Sequence, residues 1–390
     1  MKVRNILAIT FVGHSINHSI ILLYPVIMIR LADLYPTVSL AQFGLIGTAH
    51  YVLYGLMALP GGWLTDRLGA RKVLLIYLAG SGSAALLLAQ TSSLAGFTAG
   101  LALLGIFCGL YHPAGLTLIS HHSPSISRHM GVHGIAGSMG LTLGPLLGGY
   151  LASQFGWQTP YRVFGLLALV AAVALIRYIP AQRLDWHDEH PQAGRVTRYR
   201  PLIYSYIIGI FMGLAHRGTL TFMPLHFASM FSGRIDPVLM GGLLTALVLA
   251  SGIIGQITGG RLGDRYPRQK ILGWVVAANI PSLLLMSYLK GPLMVAAAVV
   301  WGTSNFVYQP IANAIVADNS SIRQRGTLFG VLNGLSFGVG ALASVVGGAV
   351  ADQWGTAAIF LVMAALLVPA VVVGLALGRV PAAADSAPVE

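Results

Sequence analysis

Imidazole side chains occur inside long apolar stretches of this sequence, where ionisable residues are rare and usually functional. His14 and His18 are one helical turn apart with Asn17 beside them, so a helix would present all three on one side. His112 lies far along another apolar stretch. An imidazole can carry a proton near neutral pH or bind a metal ion. These four residues are therefore candidates for lining a cavity that holds a small molecule.

Basic and acidic residues are distributed unequally. His216 and Arg217 lie inside a further apolar stretch, whereas all 11 Asp and Glu residues fall in loops, in the tails or at the ends of apolar stretches. A cavity with this balance attracts anions. We therefore expect an organic anion or a neutral polar molecule as substrate, with Arg217 as the charge partner. Histidine titrates near physiological pH, so His14, His18 and His112 are candidates for carrying a coupled proton.

The apolar stretches indicate a membrane protein. Of the 390 residues, 56% are hydrophobic and only 9% are charged, whereas soluble proteins carry about 25% charged residues. Crossing the hydrocarbon takes about 20 mostly apolar residues. The sequence therefore predicts an all-α membrane protein with twelve transmembrane helices. The predicted spans are residues 5–29, 41–64, 72–90, 94–119, 130–154, 160–180, 200–225, 238–262, 270–289, 291–316, 326–350 and 356–378.

The spans fall into two groups of six. We predict an N-terminal bundle at residues 1–180, a linker at 181–199, a C-terminal bundle at 200–380 and a tail at 381–390. Most of the 23 Lys and Arg residues fall on the side of the N-terminus, which predicts that linker, tail and both termini are cytoplasmic. The net charge of +12 then belongs to one side of a membrane, and no nucleic-acid partner is expected.

The two groups resemble each other at a spacing near 200 residues. The stretch 62–72 recurs at 260–270, and Tyr111-His112-Pro113 recurs as Tyr308-Gln309-Pro310. Such repeats are typical of transporters that bind substrate between two bundles. Aromatic and amide residues then add candidates for the central cavity. These are Tyr24, Tyr111, Asn305, Tyr308, Gln309 and Asn333.

The stretch 62–72 follows the pattern Gly-x-Leu-x-Asp-Arg-x-Gly-x-Arg-Lys, which resembles the signature between helices 2 and 3 of the major facilitator superfamily. The resemblance extends over almost the whole chain. It implies two six-helix bundles related by a pseudo-two-fold axis, alternating access, no cofactor and a monomer. It also implies a cytoplasmic latch that holds one state of the transport cycle. The latch positions in this sequence are Gly62, Asp66, Arg67, Gly69, Arg71, Lys72, Asp264 and Arg265.

The fifth span carries a second pattern, which matches the antiporter motif of the same family. Its residues are Gly131, Gly140, Gly144, Pro145, Gly148 and Gly149. Small residues allow helix backbones to approach closely, and a proline bends a helix. The motif implies antiport or efflux, and hence proton-coupled export across a bacterial inner membrane.

Within the superfamily, the run His14-x-x-Asn17-His18 and the pair His112-Pro113 resemble the fosmidomycin-resistance branch of drug efflux proteins. In that branch an acidic residue usually stands at the position of His18. The chain therefore departs from the branch at its usual proton-coupling residue.

Two other functions are compatible with parts of the sequence. A copper importer could use imidazole and thioether ligands, which suit copper. The candidate ligands are His14, His18, Met223, His226 and Met230. An enzyme or a receptor is the second alternative, but no nucleophile elbow, phosphate loop or His-Glu-x-x-His motif is present.

Overall fold

The computed structural model describes residues 3–122, 126–178, 197–231, 233, 235–320 and 325–381. Within these ranges the chain forms helices joined by short turns. The predicted linker 181–199 lies outside the described residues except for 197–199, and the predicted tail 381–390 lies outside except for Pro381.

Eight helices form before the predicted linker. They are α1 (Val3–Leu34), α2 (Leu40–Leu56), α3 (Ala58–Leu68), α4 (Ala70–Leu88), α5 (Leu94–Gly109), α6 (Tyr111–His122), α7 (Ile126–Phe155) and α8 (Gln158–Tyr178).

Eight more helices follow the linker. They are α9 (Tyr199–Met230), α10 (Pro237–Arg265), α11 (Arg268–Ala277), α12 (Asn279–Tyr288), α13 (Gly291–Asp318), α14 (Arg325–Asn333), α15 (Ala343–Trp354) and α16 (Thr356–Leu377). A π-helical turn, Gly334–Val339, and a 3₁₀ turn, Gly340–Leu342, join α14 to α15. Turns of the π type are rare and often occur at functional sites.

These helices coincide with the twelve predicted spans, four of which are each divided between two helices. Within the described part of the chain, ten spans are long and apolar enough to cross a membrane. The other two are α9, with 32 residues, and α13, with 28 residues. Both are long enough to cross, but they carry His216, Arg217, Asn305 and Gln309. The all-helical membrane fold is therefore confirmed, and the polar spans are those that the sequence selected as cavity-lining.

Exposed apolar side chains lie along the outer sides of the helices. On α8, for example, Leu166, Val170 and Val173 expose 55%, 65% and 67% of their surface. Their spacing of four and three residues places them on one side of the helix. A contiguous exposed apolar stripe of this kind is expected where a helix faces lipid.

The internal repeat is visible in the helices. Pro25 inside α1 and Pro224 inside α9 stand 199 positions apart. Gly156 and Gly355, also 199 positions apart, have φ of 88° and 80° just before α8 and α16. Glycine is the residue that adopts this backbone region without strain. The two halves therefore share helix breaks as well as sequence motifs.

Contacts divide the chain into two compact units. The first unit contains Met1–Trp186 with Met223–Ala246, and the second contains His187–Phe222 with Leu247–Glu390. The division differs from the predicted bundles because the end of α9 and the start of α10 pack against the first six spans. The bundle boundaries at 180 and 200 remain predictions.

An ion pair and a helix cap contribute to this packing in the first unit. Asp236 precedes α10, and one of its oxygens accepts hydrogen bonds from the backbone N–H groups of Val238 (2.9 Å) and Leu239 (3.2 Å). Such a cap satisfies donors that a helix start leaves without partners. Its other oxygen lies 2.8 Å from the guanidinium of Arg30 in α1.

The most extensive helix contact in the first unit is between α1 and α7, along the glycines of the antiporter motif. A Cβ at Gly144 would lie 2.7 Å from the carbonyl oxygen of Ser19, and one at Gly140 would overlap that of Ser15. The Ser15 and Ser19 hydroxyls donate to carbonyls of α7 at 2.9 and 3.1 Å. Close packing and interhelical hydrogen bonds are what hold helices together in lipid.

The other motif residues extend this packing. A Cβ at Gly148 would lie 2.8 Å from the Leu23 side chain of α1. A Cβ at Gly149 would lie 2.9 Å from the carbonyl oxygen of Val238 in α10. Gly131 lies near the start of α7, and Pro145 lies inside it. The motif therefore lines both the α1 and the α10 contacts of α7.

We predict that Gly140→Ala destabilises the protein, because the added methyl group meets backbone atoms of α1 that cannot move aside. Overpacking costs about 1–3 kcal/mol, which exceeds the gain of about 1 kcal/mol in helix propensity. Thermal unfolding of the purified protein measures the effect.

The matched control is Gly134→Ala in the same helix, where an added Cβ meets no atom within 4 Å of the described structure. This substitution should leave the melting temperature unchanged or raise it. Equal melting temperatures for the two variants would contradict the close α1–α7 contact.

Candidate functional site

The contact between α1 and α7 places His14 against His133. The His14 Nδ1 atom lies 2.7 Å from the carbonyl oxygen of His133, and the two imidazole rings stack at 4.0 Å with 12° between their planes. Gly137 provides the space, because a Cβ there would lie 2.6 Å from the His14 ring. His14 and His133 are buried, with 6% and 5% of their surface exposed.

This hydrogen bond determines which nitrogen of His14 carries the proton. A carbonyl oxygen can only accept, so Nδ1 of His14 must be the donor, and the neutral ring then has a bare Nε2. That Nε2 lies 3.1 Å from the Nε2 atom of His18, one turn further along α1. His18 therefore donates to His14, and the two Nε2 atoms point toward each other.

His112 from α6 completes the group. Its ring centroid lies 5.1 Å from that of His14 and 5.4 Å from that of His18. The Nε2 atoms of His112 and His133 are buried and have no hydrogen-bond partner among the described residues. We refer to His14, His18, His112 and His133 as the histidine cluster.

Three members of the histidine cluster lie close enough together to be candidate metal ligands. One ring nitrogen from each of His14, His112 and His133 lies within 4.8 Å of the other two. Sequence reasoning selected three of the four residues and did not include His133 among the site residues. Only the packing of α7 on α1 brings His133 to the others, since it lies 119 positions from His14.

The other predicted residues of the first unit are buried between helices. Asn17 donates to the carbonyl of Cys108 at 2.8 Å and accepts from the Tyr54 hydroxyl at 3.4 Å. The hydroxyl of Tyr24 donates to the carbonyl of Phe43. Tyr111 is fully buried, and its hydroxyl donates to the carbonyl of Thr10 at 2.7 Å. These contacts stabilise the helices around the cluster, and a role in substrate binding remains a prediction.

A second polar group lies in the second unit. The side-chain amide of Asn305 in α13 donates to Nδ1 of His216 in α9 at 2.8 Å. The His216 ring lies near Trp301 and Phe306, with centroid distances of 6.1 and 5.8 Å. Arg217, the next residue of α9, is 5% exposed. The structure thus joins His216 and Asn305, which sequence reasoning had selected separately.

The His216–Asn305 bond corresponds to a bond in the first half. Asn17 and His216 stand 199 positions apart, and Cys108 and Asn305 stand 197 positions apart. In each half, a polar side chain of the first span therefore forms a hydrogen bond with the fourth span. Asn17 bonds Cys108 in the first half, and His216 bonds Asn305 in the second. Arg217 is by the same spacing the equivalent of His18.

Three further candidates lie in the second unit. Tyr308 is half-buried, and its hydroxyl has no hydrogen-bond partner among the described residues. Gln309 is exposed, although it lies inside α13. Asn333 is half-buried at the end of α14, directly before the π-helical turn. An exposed amide within a spanning helix is typical of a residue that faces water.

The first copy of the latch motif lies between α3 and α4. Gly69 has a φ of 83°, which favours glycine at this corner. The guanidinium of Arg67 lies 4.3 Å from the Trp63 ring, and Arg71 donates to the carbonyl of Ile176 at 3.4 Å. Gly62 is half-buried and Lys72 exposed. Asp66 lies within α3, and its side chain is outside the described part of the chain.

The second copy of the latch motif uses a residue that sequence reasoning missed. Arg268 lies 2.6 Å from Asp318 and 3.5 Å from Asp264. Asp264 is 83% exposed, whereas Asp318 is 26% exposed. Arg265 lies over the ring of its neighbour Tyr266 at 5.7 Å. The main ion pair of this latch therefore joins Arg268 to Asp318, at the end of α13.

The alternative metal ligands lie partly elsewhere. His14 and His18 belong to the histidine cluster, whose other members are imidazoles. Met223 and His226 are buried in α9, and Met230 is half-buried at the end of that helix. A set of five ligands that includes these three residues remains a prediction.

The chain is similar to known transporters along its whole length. The model of the Major Facilitator Superfamily matches residues 6–344 and 235–390. The multidrug efflux pump Tap of Mycobacterium tuberculosis is 25% identical over 89% of this chain and 88% of its own length. Human major facilitator superfamily domain-containing protein 10 is 27% identical over 79% of this chain and 72% of its own length.

Solved structures show the same fold. A bacterial homologue of the human lysosomal transporter Spinster superimposes with a TM-score of 0.80 at 14% identity, covering 96% of each chain. The human organic anion transporter MFSD10 superimposes with a TM-score of 0.70 at 21% identity, covering 96% of this chain and 100% of its own. The fold, the two polar groups in spanning helices and the matching family model lead to one assignment: the chain belongs to the major facilitator superfamily and is a multi-pass membrane transporter, not an enzyme.

Proposed function

We propose that this transporter exports a small organic anion or a neutral polar compound by alternating access, coupled to protons, across the inner membrane of a bacterium. In this proposal both termini are cytoplasmic and the protein acts as a monomer. Arg217 is the residue that binds the anion, and the half-buried His216 of α9 and the buried Asn305 of α13 lie beside it.

The observation that carries the proposal is the position of Arg217. It is 95% buried, far from both ends of α9, and the pair His216–Asn305 is adjacent to it along the helix. Every described Asp lies within two residues of a helix end or just outside a helix. The fixed charge inside these spans is therefore positive, which attracts anions and disfavours organic cations.

The relatives support the two parts of the proposal separately. One relative is named a multidrug efflux pump, which favours export. Another is named an organic anion transporter in its solved structure, which favours an anionic substrate. The close packing of the antiporter glycines Gly140 and Gly144 on α1 is consistent with antiport. The proton-coupling roles of His14, His18 and His112 remain sequence predictions.

The second latch gives the proposal a specific conformational contact. Asp318 is the last residue of α13, where the negative end of the helix dipole disfavours a carboxylate. The guanidinium of Arg268 lies 2.6 Å from the Asp318 carboxylate, and its positive charge compensates both that carboxylate and the negative end of the helix dipole. We propose that this pair, rather than the exposed Asp264, holds one state of the transport cycle.

We predict that Asp318→Asn lowers both the melting temperature and the transport rate. Because both partners are about one quarter exposed, the loss of stability should be about 1 kcal/mol or less. Asp264→Asn is the control, since its carboxylate is 83% exposed and 3.5 Å from Arg268. If Asp264→Asn has the larger effect on transport, the latch role of Asp318 is wrong.

Arg217→Ala should raise the KM for an anionic substrate by about tenfold to a hundredfold, which corresponds to a hydrogen bond to a charged group. The anion is first selected by thermal shift, because a ligand stabilises the protein by mass action. Its flux is then measured in proteoliposomes with an imposed pH gradient. Arg217→Lys keeps the charge and should retain part of the activity.

Arg162→Ala is the matched control, because it removes one positive charge from an exposed position on α8. It should leave the KM unchanged. Equal anion flux in wild type and Arg217→Ala would refute the charge-partner role. An anion flux that does not change with the imposed pH gradient would refute proton coupling.

A further inference from the structure

We propose that the histidine cluster is a binding site for a transition-metal ion that prefers imidazole ligands and tetrahedral geometry, with Zn²⁺ as the representative ion. The inference goes beyond the proposed export of an organic compound and does not depend on it. It also differs from the copper-ligand set expected from the sequence, because its ligands are four imidazoles from α1, α6 and α7.

The ligand atoms are already close to the required separation. In a tetrahedral zinc site with Zn–N bonds of 2.0–2.1 Å, two ligand nitrogens lie about 3.3 Å apart. The Nε2 atoms of His14 and His18 are 3.1 Å apart, and His18 can bind an ion through Nε2 once its proton moves to Nδ1. The nitrogens of His14, His112 and His133 lie within 4.8 Å of one another. Side-chain rotations that bring these atoms about 1.5 Å closer would complete the site.

Hydrogen bonds from the Nδ1 atoms orient rings of the cluster as metal sites require. A metal-binding histidine usually donates its second N–H to a carbonyl, carboxylate or water. His14 does so through Nδ1 to the carbonyl of His133 at 2.7 Å. Its Nε2 atom keeps its lone pair, which accepts from His18 in this structure and can bind an ion instead.

His133 has a similar arrangement. Its Nδ1 lies 3.5 Å from the hydroxyl oxygen of Tyr111. That hydroxyl gives its own proton to the carbonyl of Thr10 at 2.7 Å, so its oxygen can accept from His133. The Nε2 atom of His133 is then a bare lone pair, buried and without a hydrogen-bond partner among the described residues. A buried acceptor of this kind is costly unless a ligand occupies it.

The composition of the site selects the class of ion. Imidazole suits Zn²⁺, Cu²⁺ and Ni²⁺, whereas Mg²⁺ and Ca²⁺ require oxygen ligands. The histidine cluster contains no carboxylate. His18 and His112 are half-buried, so part of the cluster is accessible to solvent. An entry path is one of the features that a real metal site needs.

Cobalt titration tests the site directly, because tetrahedral Co²⁺ absorbs visible light far more strongly than octahedral Co²⁺. The protein is purified without a polyhistidine tag, treated with a chelator and titrated with CoCl₂ in detergent. Wild type should bind one equivalent with tetrahedral bands, and added Zn²⁺ should remove these bands. Only octahedral absorption in wild type would overturn the proposal.

The variant His133→Gln should weaken Co²⁺ binding at least about tenfold, since even the loss of an outer hydrogen-bond partner costs 10–100-fold. His50→Gln is the matched control. His50 is also buried in the first unit, and its Nδ1 bonds the carbonyl of Leu101 at 2.7 Å, but it is not part of the cluster. It should bind Co²⁺ like wild type.

If His133→Gln does not fold, His112→Gln replaces it, because that side chain is only half-buried. Unchanged Co²⁺ affinity in the folded variant, or an equal loss in His50→Gln, would overturn the proposal. Arg217→Ala separates the two claims, since it should bind Co²⁺ normally while losing anion flux. If Arg217→Ala shows normal anion flux and normal Co²⁺ binding, the anion site is refuted and the metal site is not.

Discussion

The close approach of α1 and α7 is the constraint on which the first unit depends. In lipid there is no hydrophobic force between helices, so packing and hydrogen bonds must hold them together. Gly140 and Gly144 let the two backbones meet, and the hydroxyls of Ser15 and Ser19 bond across the contact. At the same contact Gly137 leaves room for the ring of His14. The residues that hold the helices together therefore also assemble the polar site.

The two halves of the repeat use equivalent positions for different chemistry. In the first half the large side chain of His14 packs on Gly137. At the positions 199 residues later the order is reversed, because Gly213 replaces the large residue and Ser336 replaces the glycine. The first half gains a stacked imidazole there. The second half gains a backbone contact instead, and its polar chemistry lies with Arg217 and the His216–Asn305 pair. The exchange of large and small residues at equivalent positions therefore accompanies the difference between the two polar groups.

Sequence reasoning predicted the fold well, for physical reasons. Spanning segments need about 20 apolar residues, so composition alone locates them. Sequence reasoning also selected His216 and Asn305, because polar residues are rare in such segments, but only the structure shows their hydrogen bond. The motif of glycines indicated close packing but not which helices it would join, since that depends on the side chains of α1 and α10.

The residues that sequence reasoning missed are those that depend on tertiary contact. His133 lies 119 positions from His14, and no spacing rule connects them. Arg268 lies in the repeated stretch 260–270, but its partner Asp318 lies 50 positions further along and outside that stretch. The sequence motif instead selected Asp264, whose carboxylate is exposed. Pairs that form across helices can be found only after the helices are placed.

Packing of α1 on α7 fixes the ring of His14, with Nδ1 protonated and Nε2 facing the cluster. Nitrogen-15 NMR of histidine-labelled protein measures this directly, because the two tautomers have different nitrogen shifts and His14→Gln identifies the signal. We expect one Nδ1-protonated tautomer of His14 at neutral pH. We also expect this single tautomer to be lost in Gly137→Ala, because the added methyl group fills the space of the ring. A His14 signal with Nε2 protonated, or with both forms averaged, would contradict it.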